Sequence, residues 1–288
     1  MNVRSEILQF LPAPQAFASS LPNDDAPIWR QGLEEFAQPQ IAEKGDYPLR
    51  ESQVIAWNGL ADQRVGLIQG PPGTGKTYVL AWMALDYLQG RRAAGLPCRI
   101  LVNAFTLNAI GNLLDAIQSK AARYVPSPPD VVYLGSQADG GLNPAIRHIS
   151  FRQRGATAEA WEALHSDHQV VGSSVWALNK PLVAGDPTVT DGPTSPLFHL
   201  VCIDEASQMV VSNGLMALAG LALGGRVLVA SDDKQLPPVR AVHNQEIDGR
   251  RLGGSLYDFL KCAQVAEFPL DETFRLNAPL TGFPESKF

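Results

Sequence analysis

Gly70-Pro-Pro-Gly-Thr-Gly-Lys-Thr77 fits the pattern G-x-x-x-x-G-K-[ST], and its neighbours decide how it is read. Ahead of it, residues 65–69 form a short apolar run suited to a buried strand. Behind it, Val79, Leu80, Met83, Leu85 and Leu88 recur at helical spacing over 78–89. A strand, a glycine-rich loop and a helix in that order are the setting in which this pattern cradles phosphate. Gly73 and Gly75 permit backbone angles and a close approach that a side chain would obstruct, so successive N–H groups can point at phosphate oxygens. The helix N-terminus adds its partial positive charge. On this reading Gly70, Pro71, Pro72, Gly73, Thr74, Gly75 and Tyr78 surround a nucleotide. Lys76 reaches its β and γ phosphates, and the Thr77 hydroxyl ligates Mg²⁺. The plain alternative is an ordinary Gly-Pro turn.

Outward from the loop, the chain alternates between strand and helix patterns. A helix is expected over 52–60, a second strand over 99–104 with its helix over 107–119, and another strand over 169–173. The continuous apolar runs at 198–203 and 226–230 are those of central parallel strands buried on both faces. Such alternation implies a parallel sheet with helices on both faces. Residues 1–48, punctuated by Pro12, Pro14, Pro22, Pro27 and Pro39, read as an arm or accessory segment. Residues from 120 to about 166 read as an insertion, and 179–196, with four prolines, as a surface loop.

The totals suit one large α/β domain. The chain has 288 residues, 45% of them hydrophobic and 18% charged, enough to bury a sizeable core. A net charge of -6 argues against coating nucleic acid by bulk electrostatics, though it leaves room for a narrow track. Cys98, Cys202 and Cys262 stand far apart, with no C-x-x-C pair to hold zinc and no disulfide framework, as expected for a reducing compartment. The cytoplasm is therefore the expected location, or the nucleus in a eukaryote. No basic segment followed by an apolar run opens the chain, and the most apolar stretch, 214–230, is broken by glycines and Arg226. A membrane partner is not expected.

The strand at 198–203 ends in Asp204-Glu205, and parallel sheets present ligands at the carboxyl ends of their strands. The acidic pair can therefore face the same nucleotide as the loop. Asp204 would hold Mg²⁺, and Glu205 would orient and deprotonate an attacking water. Two solvated carboxylates at a strand end are the alternative.

The acidic motif also narrows the class. Asp204-Glu205-Ala206-Ser207-Gln208 resembles the D-E-A-S-Q box of superfamily 1B helicases. Ala230-Ser-Asp-Asp-Lys-Gln-Leu-Pro-Pro238 is similar to that group's third motif, with Ser231 in the place of a glycine. The resemblance makes Gln235 the residue that senses the γ-phosphate. It likens Leu270-Asp-Glu-Thr-Phe-Arg-Leu276 to the fourth motif, with Arg275 on the γ-phosphate and Phe274 near the adenine; a surface ion pair and a core ring are the respective alternatives. Leu49-Arg-Glu-Ser-Gln53 looks like the adenine-reading segment, in which Gln53 would bond the base edge, although Ser52 can equally be a helix cap.

Asn103-Ala-Phe-Thr-Leu-Asn-Ala109 is similar to the family's motif Ia, with Phe105 and Leu107 replacing its proline and asparagine. Thr106 is its candidate phosphate contact. Ser173 and Ser174, in a segment like a further strand-binding motif, are two more; all three also read as strand ends. Trp161 and Trp176 are aromatics that could stack on bases or simply pack.

The resemblance runs from about residue 49 to the end. It implies the first RecA-like domain of an ATP-driven, 5′-to-3′ motor on single-stranded DNA or RNA, with ATP and Mg²⁺ as cofactors. The second RecA-like domain would lie further on in a parent protein, leaving this portion weak in turnover and in strand binding. The expected fold is thus an α/β RecA-like P-loop domain over 49–288 with a small inserted subdomain. A non-enzymatic nucleotide-binding module and a P-loop switch or transport ATPase are the rival classes.

Overall fold

The computed structural model describes residues 10, 13–20, 26–135, 142–184, 198–232, 246–247, 250–251 and 254–273. Its helices up to the first strand are α1 (Pro14–Ser19), α2 (Ala26–Gly32), a π-helical stretch Leu33–Ala37, α3 (Gln38–Lys44) and α4 (Glu51–Ala61). Then follow β1 (Val65–Gln69), α5 (Lys76–Ala93), β2 (Arg99–Ala104), α6 (Leu107–Tyr124), β3 (Asp130–Leu134), β4 (Arg147–Ile149), α7 (Ala156–His165), β5 (Gln169–Ser173) and α8 (Val175–Ala184). The last group is β6 (Phe198–Asp204), α9 (Val211–Leu218), β7 (Leu221–Ser231), β8 (Glu246–Ile247), β9 (Arg250–Arg251), α10 (Leu256–Cys262) and β10 (Glu267–Pro269).

Eight strands form one parallel sheet in the order β10-β1-β7-β6-β2-β5-β3-β4, while β8 and β9 pair antiparallel by themselves. Side chains alternate between the faces of a strand, so each central strand feeds two apolar cores. Ile100 and Val102 of β2, and Leu200 and Cys202 of β6, join the core that holds Trp29, Trp57 and Trp82. Leu101, Val201 and Ile203 join the opposite one, with Phe198, Leu256 and Tyr257. That double burial explains why the run at 198–203 reads as continuously apolar.

The two stretches read as accessory are built into this body. In the N-terminal segment, Trp29 is fully buried and its indole N–H donates to the Met83 carbonyl at 2.8 Å, while Trp57 donates to the Trp29 carbonyl at 2.8 Å. The region from 120 to 166 completes α6 and supplies β3, β4 and α7, which continue the sheet at its edge: β3 pairs with β5 along Asp130–Leu134. Three prolines in a row of four residues hide the start of β3. The helix α8 also runs into the expected loop at 179–196, whose remainder from 185 lies outside the described residues.

One buried carboxyl serves no visible structural purpose. Asp86, on α5, lies against the backbone of Gly32, and its Oδ2 has no hydrogen-bond partner. Burial holds its pKa well above the usual carboxylate range. A folded value above the unfolded one means stability that is full below the ordinary carboxylate pKa and lost as pH rises through the raised value. Asp86→Asn should therefore raise the melting temperature at pH 8, by the equivalent of about 1–3 kcal/mol, and leave it unchanged near pH 4. Parallel melting curves at the two pH values check this, and an equal shift at both would rule it out.

Candidate functional site

The strand β1 delivers the loop and β6 the acidic pair, both at the carboxyl edge of the sheet, with only β7 between them. Gly73 and Gly75 both have positive φ, 87° and 83°, in the region that a Cβ disfavours; the loop needs glycine at these positions. Gly75 then caps α5, so its turn aims the helix N-terminus into a cavity of about 590 Å³. Gly73, Gly75, Lys76, Thr77, Asp204 and Glu205 all line that cavity.

The loop and the acidic pair touch. The Thr77 hydroxyl donates to Asp204 Oδ2 at 3.1 Å, and the Glu205 backbone N–H donates to Asp204 Oδ1 at 2.9 Å. Asp204 is buried, and burial raises its pKa against the lowering effects of those two hydrogen bonds and of the Lys76 charge. Glu205 has a φ of 53°, a left-handed conformation that costs a non-glycine residue energy and is retained where surroundings demand it. Its carboxylate accepts the Thr106 hydroxyl at 2.9 Å. Lys76 bends back: its ammonium donates to the carbonyls of Gly70 and Pro71, the arrangement that an arriving phosphate would replace.

A buried carboxylate beside a hydroxyl, both oxygen donors, suits a hard divalent cation, because a positive charge there would offset the burial that disfavours ionised Asp204. Among the described residues no group of three or more His, Cys, Asp or Glu could cage a metal unaided.

Several sequence expectations change here. Gln53 is buried and its amide is already engaged: Oε1 accepts the Arg50 N–H at 3.0 Å, and Nε2 donates to the Thr74 carbonyl at 3.0 Å. It ties the start of α4 to the loop rather than facing the cavity. Thr106 caps α6 by accepting from the Ala109 N–H at 3.1 Å while donating to Glu205, so its hydroxyl is already engaged at the cavity wall. Ser173 is fully buried and its hydroxyl donates to the carbonyls of Leu134 and Ser174, out of reach of a ligand outside. Ser174 stays half-buried at the head of α8, accepting from the Ala177 N–H at 3.3 Å. Trp161 packs on the His165 ring at 4.1 Å, whereas Trp176 is exposed.

Gln235, Phe274 and Arg275 lie outside the described residues. The segment leading to the last two runs along the loop: the Leu270 N–H donates to the Gln69 carbonyl at 2.7 Å, Thr273 donates to the Pro72 carbonyl at 3.4 Å, and Glu272 pairs with Arg50 at 3.6 Å. A joint that sequence reasoning missed is Ser231. Its carbonyl accepts the Gly70 N–H at 3.1 Å and its hydroxyl accepts the Ser207 N–H at 2.7 Å, so one residue holds both the loop and the acidic turn. The signal was its departure from the glycine usual at that position.

A family model described as "AAA domain" matches residues 53–241. Over 282 residues the chain is 28% identical to the ATP-dependent helicase upf1 of Schizosaccharomyces pombe, covering 88% of this chain and 29% of that protein. A regulator of nonsense transcripts 1 homolog of Arabidopsis thaliana is 24% identical, with 83% of this chain and 20% of the relative covered. The chain thus spans less than a third of the length of either. Among solved structures, the Pif1 helicase from Candida albicans is 15% identical with a TM-score of 0.40, covering 80% of this chain and 41% of that one.

Proposed function

The chain belongs to the AAA domain family, and from that premise we propose that it is a superfamily 1 helicase motor domain that binds ATP with Mg²⁺ as the first motor half of a 5′-to-3′ translocase on single-stranded DNA or RNA. Residues 49–288 form the ATPase portion on this reading, with 1–48 as an accessory segment. The observation that carries the proposal is the hydrogen bond from Thr77 to Asp204, which brings the end of the loop and the acidic pair to one cavity.

Each residue's part follows from its position. Backbone N–H groups at Gly73 and Gly75 face the phosphate chain, and Lys76 exchanges the Gly70 and Pro71 carbonyls for β and γ phosphate oxygens. Thr77 and Asp204 would hold Mg²⁺, which when bound neutralises charge developing between the two phosphates. Glu205, held by the Thr106 hydroxyl, orients water for in-line attack and takes its proton. By resemblance Gln235 and Arg275 meet the γ-phosphate. No helix among the described residues is long and apolar enough to cross a membrane.

Titration with a fluorescent ATP analogue tests the core of this reading. Saturable binding that tightens on adding Mg²⁺ is the expected result, and absence of saturable binding in either condition defeats it. Stimulation of turnover by single strands, measured on the longest native form, separates a motor from a switch or a passive module.

A further inference from the structure

The cavity has a wall that the phosphate machinery leaves unused. Beyond the loop and the acidic pair it is lined by Tyr47, Pro48, Tyr78, Ala109 and Asn112. With phosphates at the loop, these are the described lining residues that remain to meet the nucleoside. Tyr47 and Pro48 belong to the connection between α3 and α4, and that connection is pinned on both sides of Tyr47. The Asp46 carboxylate accepts the Tyr124 hydroxyl at 2.6 Å and the Tyr47 N–H at 3.0 Å, with the Lys120 ammonium 3.9 Å away. Lys120 lies over the rings of Tyr78 and Trp82, at 3.9 and 4.6 Å from their centres. The Tyr78 hydroxyl, whose pKa burial pushes up to about 12, donates to the Tyr47 carbonyl at 2.6 Å.

The Tyr47 backbone is therefore fixed through both its N–H and its carbonyl, yet the residue is 76% exposed. A single exposed apolar side chain is ordinary on a protein surface. An aromatic ring on a clamped backbone at the rim of a nucleotide-sized cavity is a preformed stacking face. Gln53, expected to read the adenine edge, is not among the residues that line this cavity, and each end of its buried amide already holds one partner.

We infer that Tyr47 is the platform on which the base of a bound nucleoside triphosphate stacks, and that the site grips the base by its face. The inference rests on the proposed phosphate site. It deepens that reading by naming the substrate class, nucleoside triphosphates whatever their base. Every base has a π-face, so stacking discriminates little among them. Rejection by large factors needs buried polar groups matched to a base edge. Of the remaining lining groups, Asn112 carries an amide, and it is exposed to water.

The experiment is equilibrium titration of the 288-residue chain with MgATP, MgGTP, MgCTP and magnesium tripolyphosphate, repeated for Tyr47→Ala and Tyr47→Trp. The three nucleotides should bind within about tenfold of one another, since stacking is tolerant of base identity. Tyr47→Ala should weaken all three by about 5- to 150-fold, the loss of one stacked base, and leave tripolyphosphate binding unchanged. Tyr47→Trp should restore the nucleotides. Preference for ATP beyond tenfold overturns the inference, as does a Tyr47→Ala chain that binds nucleotides normally. Failure of the wild-type chain to bind even tripolyphosphate overturns the phosphate-site reading beneath it.

Discussion

Replacing Glu205 by glutamine is expected to cut ATP turnover by about 10²- to 10⁴-fold, the usual contribution of a positioned general base, with ATP binding preserved. The substitution is chosen for what it leaves in place. A glutamine carbonyl can still accept the Thr106 hydroxyl, and the residue 205 N–H can still donate to Asp204, so the left-handed turn keeps its supports. The negative charge is removed, and the basicity goes with it. Phosphate release under saturating MgATP measures the first half of the expectation, and the binding constant of a fluorescent ATP analogue measures the second. Unchanged turnover would remove Glu205 from the chemistry. Loss of binding together with turnover would instead make Glu205 a structural member of the cavity wall.

The second large effect is on binding. Lys76→Ala should raise the dissociation constant for MgATP by about 10- to 150-fold, the worth of a hydrogen bond to a charged group of about 1.5–3 kcal/mol. Magnesium tripolyphosphate should weaken equally, because Lys76 addresses phosphate alone. That equality distinguishes its loss from the loss of Tyr47, which touches only ligands that carry a base. In the free protein Lys76 bonds two loop carbonyls, so the variant's melting curve without ligand is the necessary control. An affinity loss confined to nucleotides and sparing tripolyphosphate would contradict the assignment.

Much of the fold could be read in advance because a strand buried on both faces leaves a signature that survives in one dimension. β1, β2 and β5 fall at the expected residues, and β6 is one residue longer, since each has an apolar centre and is bounded by turn-formers or caps. β4 left no such trace: of Arg147, His148 and Ile149 only the last is buried, as befits an edge strand three residues long. α7 gave little pattern because alanines make up much of its buried face. The same limit applies around the nucleotide cavity. Lys76, Thr77, Asp204 and Glu205 could be paired by the rule that ligands sit beyond strand ends. What Gln53, Thr106 and Ser173 bond to depends on which neighbour their side chains meet in three dimensions. A hydroxyl at a strand end looks alike in sequence whether it faces out to a ligand or in to a carbonyl.

The Gln53 amide stapled to the Thr74 carbonyl has a thermodynamic corollary. A segment made largely of glycine and proline would otherwise sample many shapes, and arresting each residue costs about 1–2 kcal/mol in chain entropy. Here that arrest is completed while the protein folds, by the amide on one side and Ser231 on the other. An incoming anion would meet a loop backbone already shaped, with the Lys76 side chain left to move off the Gly70 and Pro71 carbonyls. Association should accordingly show a small entropic penalty, and cutting the staple should surface first as slower, less favourable capture and only afterwards as a weaker grip.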